Sequence, residues 1–174
     1  MSEVLVHICC GICASWCMER LKEEGFDTIG FFYNPNIHPQ AEYKKRLEVT
    51  RKVSEILGFE LLEGDYDKER WFDLTKEFKE DREGEKRCQI CFKMRLEQTQ
   101  RKSKELNISY FITTLTISPY KGSQLINNIG KNLDRFSFLE RDFKEKDGFK
   151  RAIEFSKTHS LYRQNYCGCV YSVR

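Results

Sequence analysis

Short apolar runs alternate with stretches of helical periodicity along this chain, and that rhythm limits its possible folds more than any other feature. Val4–Ile8 reads as a buried strand, an apolar run of strand length. Ile12–Glu24 reads as a helix stopped by Gly25, and Thr28–Tyr33 as a second strand closed by the loop Asn34–Pro39. Tyr43, Leu47, Val53 and Leu57 recur near helical spacing until Gly58 ends that helix. Phe59–Leu62 follows as a strand and Trp71–Phe78 as a helix. A further helix follows the Cys88/Cys91 pair and runs to about Leu106, and Tyr110–Thr114 makes a fourth strand. Beyond it, short helices are expected around Ser123–Ile129 and Phe149–Ser156. Repeated strand–helix–strand order predicts an α/β fold, a Rossmann-like domain whose mainly parallel sheet is flanked by helices. Ligand sites in such sheets gather at the carboxyl ends of the strands, beside a topological switch point, so a metal site is expected there.

With 174 residues, 40% of them hydrophobic, the chain has material for one core, and no repeat or linker divides it, so a single domain over 1–174 is expected. The charged fraction of 33% gives a solvated surface. A net charge of +3 tolerates a nucleic-acid partner without announcing one. No run approaches the ~20 apolar residues that span a bilayer. Met1–His7 lacks a basic segment followed by a long apolar one, so no secretory signal is read and a cytoplasmic location without membrane partners is expected.

Eight cysteines fall mostly into three tight groups: Cys9, Cys10 and Cys13; Cys88 and Cys91; Cys167 and Cys169. Without an export signal, such groups point to metal binding or redox chemistry ahead of structural disulfides. Cys9-Cys10-Gly11-Ile12-Cys13 sits where the first strand turns into the first helix. Gly11 is expected to let the backbone bend there, and the helix N-terminus to favour thiolates. Cys88-x-x-Cys91 offers two sulfurs from one turn, and only the fold can join it to the first group. Four thiolates suit zinc or an iron–sulfur cluster, and spacing does not choose between them. Cys167-Gly168-Cys169 suits a redox-active dithiol or a second metal. Cys17 reads as a core residue, and Cys13 as a residue whose position suits either a ligand or a second metal.

His38, in the loop after the second strand, is a candidate proton donor, as are Tyr120 and Tyr166. Lys121, after the fourth strand, is read as a phosphate contact or a solvated lysine. His7, inside an apolar strand, reads as a hydrogen-bonded core imidazole. No glycine-rich dinucleotide or P-loop motif follows a strand, and cysteines occupy the place of an ATP-binding loop after the first.

Five motifs in this order resemble one family. They are His7-Ile-Cys-Cys-Gly-Ile-Cys13, Tyr33-Asn-Pro-Asn-Ile-His-Pro39, Arg87-Cys-Gln-Ile-Cys-Phe-Lys-Met-Arg-Leu96, Thr113-Thr-Leu-Thr-Ile-Ser-Pro-Tyr-Lys121 and Tyr166-Cys-Gly-Cys169. The family is the QueH-type epoxyqueuosine reductases, which are iron–sulfur enzymes independent of cobalamin. The resemblance implies a two-electron removal of the epoxide oxygen from epoxyqueuosine at the wobble position of tRNA. It implies a 4Fe–4S cluster on Cys9, Cys10, Cys88 and Cys91, and a redox-active pair at Cys167 and Cys169 that could instead hold an additional iron. It also implies tRNA carrying epoxyqueuosine and an electron donor as partners. The sequence departs from many members at Gly11-Ile12 and at Arg82–Glu85, and these departures spare every cysteine. Two other readings of the same residues are a zinc-stapled RNA-binding module without catalysis and a metal-free thiol–disulfide oxidoreductase.

Overall fold

In a computed structural model, which describes residues 1–173, four strands form one parallel sheet in the order β3-β2-β1-β4. The strands are β1 (Ser2–His7), β2 (Phe26–Phe32), β3 (Glu60–Glu63) and β4 (Tyr110–Thr113). Helices α1 (Gly11–Glu23) and α2 (Gln40–Leu57) carry the chain outward from β1 to β3. Then α3 (Lys68–Thr75) and α4 (Lys86–Glu105) bring it back to β4 on the other side of β1. The direction of travel therefore reverses at β1, and the crevice between the ends of β1 and β4 is the switch point.

Alternation along β1 divides the core. Val4, Val6 and Ile8 enter the layer built on α1, α2 and α6 (Gly148–Thr158), while Leu5 packs with Phe31, Phe111 and Leu96 in the layer of α3, α4 and α5 (Ser123–Asp134). Gly11 does not supply a bend. It opens α1 in helical conformation, and a Cβ there would lie 2.8 Å from the Thr50 Cα, so its lack of a side chain lets α1 approach the α2 backbone.

The expected elements appear with shifted ends. The helix placed at Trp71–Phe78 is α3, three residues earlier, followed by a 3-10 turn over Lys76–Phe78. The second cysteine pair lies inside α4 rather than before it, because the helix opens at Lys86. β4 ends at Thr113, where Thr114 begins a 3-10 turn, and α5 runs five residues past the expected Ile129. No helix is long and apolar enough to cross a membrane among the described residues.

Candidate active site

The turn after β1 brings three thiols together. Sγ atoms of Cys9, Cys10 and Cys13 all lie within 4.8 Å of one another. Cys10 caps α1, its sulfur accepting from the Cys13 N–H at 3.3 Å and lying 2.8 Å from the Cys13 sulfur. Thr114, at the end of β4, closes the switch point. Its Oγ1 accepts the Cys9 N–H at 3.1 Å, and its O–H donates to the Cys9 sulfur at 3.3 Å.

Those hydrogen bonds concentrate charge on one sulfur. Donation from Cys10 and Cys13, helped by Lys121 and Thr114 and opposed by burial, holds the Cys9 thiol well below the usual range. Cys13 draws Cys10 down, but donation to Cys9 and burial prevail, pushing Cys10 up to about 12. Cys13 rises as well, through its bonds to Cys10 and Cys9. The three sulfurs lie close enough together for a bound soft cation to replace the protons between them.

Two adjoining cavities open beside this turn. The deeper, of about 270 Å³, is lined by all four of Cys88, Cys91, Cys167 and Cys169, with Trp71 and Phe92 among its apolar walls. The wider, of about 650 Å³, takes in Cys9, Cys13 and Cys167. Cys88 and Cys91 stand one turn apart on α4, and burial raises the Cys88 thiol. The expected ligands therefore fall in two groups: Cys9 and Cys10 sit with Cys13, while Cys88 and Cys91 face the cavity next door. None of the eight cysteines is disulfide-bonded, and Cys17 is fully buried in the core, as its position on α1 predicts.

A network fixes the C-terminal pair. Arg46 on α2, 2% exposed, donates to the carbonyls of Cys167 at 2.9 Å and Tyr166 at 3.0 Å, and its Nε meets Glu42 at 2.8 Å. Its guanidinium also lies over the Tyr166 ring, 4.9 Å from the centroid. Gly168 holds φ +128°, a backbone region that suits glycine, and a side chain there would crowd Arg46 and Ile37. The Cys169 thiol donates to Cys167 and, with Ser172, pulls Cys167 down to about 4, while Cys169 is raised by the same bond.

His38 belongs to this network. Its Nε2 donates to the Pro35 carbonyl at 3.0 Å and its Nδ1 accepts the Val170 N–H at 3.2 Å, so both ring nitrogens are engaged with backbone. Its N–H donates to the Gly168 carbonyl at 2.8 Å, and the Tyr166 hydroxyl donates to its own carbonyl. His38 and Tyr166 thus help hold the cysteine loop, and burial lowers the imidazole pKa. Tyr120 is 70% exposed and borders both cavities. His7 is the core imidazole its strand predicts, bonded to Thr113 Oγ1 at 2.9 Å and the Tyr33 carbonyl at 3.0 Å. Sequence reasoning missed Arg46, whose signals were a place among the apolar residues of α2 and a glutamate four residues earlier.

A parallel α/β sheet with cysteines from three remote segments gathered at the carboxyl ends of β1 and β4 defines a thiol-rich protein of Rossmann-like architecture. A solved structure from Methanocaldococcus jannaschii, described as a predicted subunit of tRNA methyltransferase, shares that fold. It has a TM-score of 0.61 at 16% identity, covering 90% of this chain and 75% of its own. The family described as Epoxyqueuosine reductase QueH matches residues 4–174, and the chain belongs to that family of oxidoreductases. Relatives of that name are 38% identical in Streptococcus pyogenes, over 99% of this chain and 71% of theirs, and 35% identical in Thermotoga maritima, over 99% and 91%.

Proposed function

We propose that this chain, acting as one unit over residues 1–174, reduces epoxyqueuosine to queuosine at the wobble position of tRNA in the cytoplasm. The observation that carries the reading is the meeting of Cys9, Cys13, Cys88, Cys91, Cys167 and Cys169 around two adjoining cavities. The donor set fits an iron–sulfur group: soft sulfurs, with no carboxylate in the cluster of three. Cys9, Cys10, Cys88 and Cys91 would hold a 4Fe–4S cluster, which when bound supplies one-electron transfer and a Lewis-acidic iron. Cys13, within reach of the same place, is available to the set or to an additional iron.

The chain's own residues account for the rest of the chemistry. Loss of the epoxide oxygen breaks two C–O bonds, forms a C=C bond and releases water, which takes two electrons and two protons. Oxidation of the Cys167/Cys169 pair to a disulfide supplies both electrons. The Cys169 thiol supplies one proton and solvent the other. An external electron donor then restores the pair. Arg46 and His38 keep the two sulfurs in place between turnovers. Exposed Tyr120 and Phe149 offer faces for stacking on unpaired bases, and Arg163 on the outer rim offers charge to phosphates.

The test is anaerobic purification with iron, sulfide and zinc analysis, followed by incubation with epoxyqueuosine-tRNA and nucleoside mass spectrometry. Near-equal iron and sulfide with conversion to queuosine is expected. A colourless protein with one tight zinc and no conversion would refute the reductase and favour the zinc-stapled module.

A further inference from the structure

Two cations at the junction of the cavities have no part in the reading above. Arg95 and Lys121 border both spaces, together with Glu83, Tyr120 and Cys167. Arg95 stands one turn after Cys91 on α4, is 3% exposed, and donates through Nε to the Cys91 carbonyl at 3.4 Å. Lys121 is half-buried after the turn that follows β4 and lines the same cavities as Cys9 and Cys167. Among the described residues neither forms an ion pair with a carboxylate. Among the described residues Glu83 is the one acidic side chain lining either cavity, and it is exposed.

An enclosed guanidinium without a carboxylate is costly unless something else meets its charge. Epoxide opening brings a negative charge into the space these two side chains line.

We propose that Arg95 and Lys121 are catalytic residues that together stabilise the negative charge on the substrate oxygen as the epoxide opens. The proposal rests on the reductase reading. In that step a C–O bond breaks, electrons from the Cys167/Cys169 pair enter the substrate, and charge accumulates on the departing oxygen until it leaves as water. Cations already in place where charge develops stabilise it with little reorganisation at the moment of reaction. A backbone phosphate is the poorer candidate, because it lies on the outside of the substrate where solvated cations such as Arg163 suffice, whereas Arg95 is enclosed.

The experiment compares wild type with Lys121→Met, Lys121→Arg and Arg95→Lys, all loaded with iron under anaerobic conditions. Lys121→Met is expected to lose about 10²–10³ in kcat and to change the KM for epoxyqueuosine-tRNA by less than about threefold. Lys121→Arg is expected to recover part of the loss. Arg95→Lys, which keeps the charge and loses the fork, is expected to lose about tenfold. Two readouts stand apart from turnover: iron and sulfide content, and affinity for product queuosine-tRNA, which lacks the charged oxygen. Both are expected to match wild type. A raised KM with kcat retained, lost product affinity, or wild-type rates in Lys121→Met and Arg95→Lys would each overturn the assignment. Wild type that fails to convert the substrate would refute the reductase reading instead.

Discussion

Replacing Arg46 by methionine removes the clamp on the C-terminal cysteines while keeping most of the buried volume. The lost interactions are the 2.8 Å pair with Glu42 and the donations to the Cys167 and Tyr166 carbonyls at 2.9 and 3.0 Å. Glu42, with its side chain 11% exposed, keeps the hydrogen bond from the Tyr162 hydroxyl but loses its cation. Breaking one side of a buried ion pair costs about 3–5 kcal/mol, and the two carbonyls lose charge-assisted partners besides. At about 2–4 °C per kcal/mol for a chain of this size, the melting temperature should fall by roughly 6–20 °C if the loss is shared by the whole fold. If the loop opens alone, the readout is alkylation instead. Cys169, 5% exposed in the intact protein, should react with iodoacetamide at least about tenfold faster. Circular dichroism melts and timed mass spectrometry measure both. Arg46→Lys, with one donor centre in place of a fork, should fall between. A melting temperature within about 2 °C of wild type together with unchanged alkylation would show that the clamp contributes nothing.

Further outcomes follow from the site and its packing. Cys88→Ala should abolish iron–sulfur assembly and turnover, since three thiolates hold a four-iron cluster poorly; full iron content with activity would remove Cys88 from the ligand set. Cys169→Ser should retain most of the iron but lose multiple turnover, and a variant cycling like wild type would exclude the dithiol. Affinity for tRNA should fall as salt rises, through counterion release from the phosphates; a flat salt profile would mean recognition of the modified nucleoside alone. Gly148→Ala should destabilise by at least about 2 kcal/mol, because the added Cβ would sit 1.9 Å from the Phe143 carbonyl and 2.7 Å from the Trp16 ring, and an unshifted urea midpoint would contradict that packing.

Elements with strong periodicity were legible in the sequence, and the first strand, its helix and the Gly58 stop fall where apolar spacing places them. Ends were less so. The α4 boundary at Lys86 escapes pattern reading because Lys86, Arg87 and Gln89 carry no apolar periodicity, while Arg87 is buried by donating to the carbonyls of Phe78, Lys79 and Asp81. At the site, cysteine grouping gave the three thiol groups but not the spaces they face: Cys88, Cys91, Cys167 and Cys169 line one cavity, Cys9 and Cys13 the other, with Cys167 on both. His38 shows the limit in the other direction. A loop histidine beside a sheet edge invites a chemical role, and only the tertiary contact with Val170 shows its nitrogens already spent.

One turn of α2 touches both ends of the chain's chemistry. Thr50 lies against Gly11, at the root of the Cys9–Cys13 turn, and Arg46, whose carbonyl accepts the Thr50 hydroxyl at 2.8 Å, grips the loop of Cys167. One helix therefore anchors thiol-bearing segments more than 150 residues apart in sequence, so a substitution that shifts α2 bears on both at once.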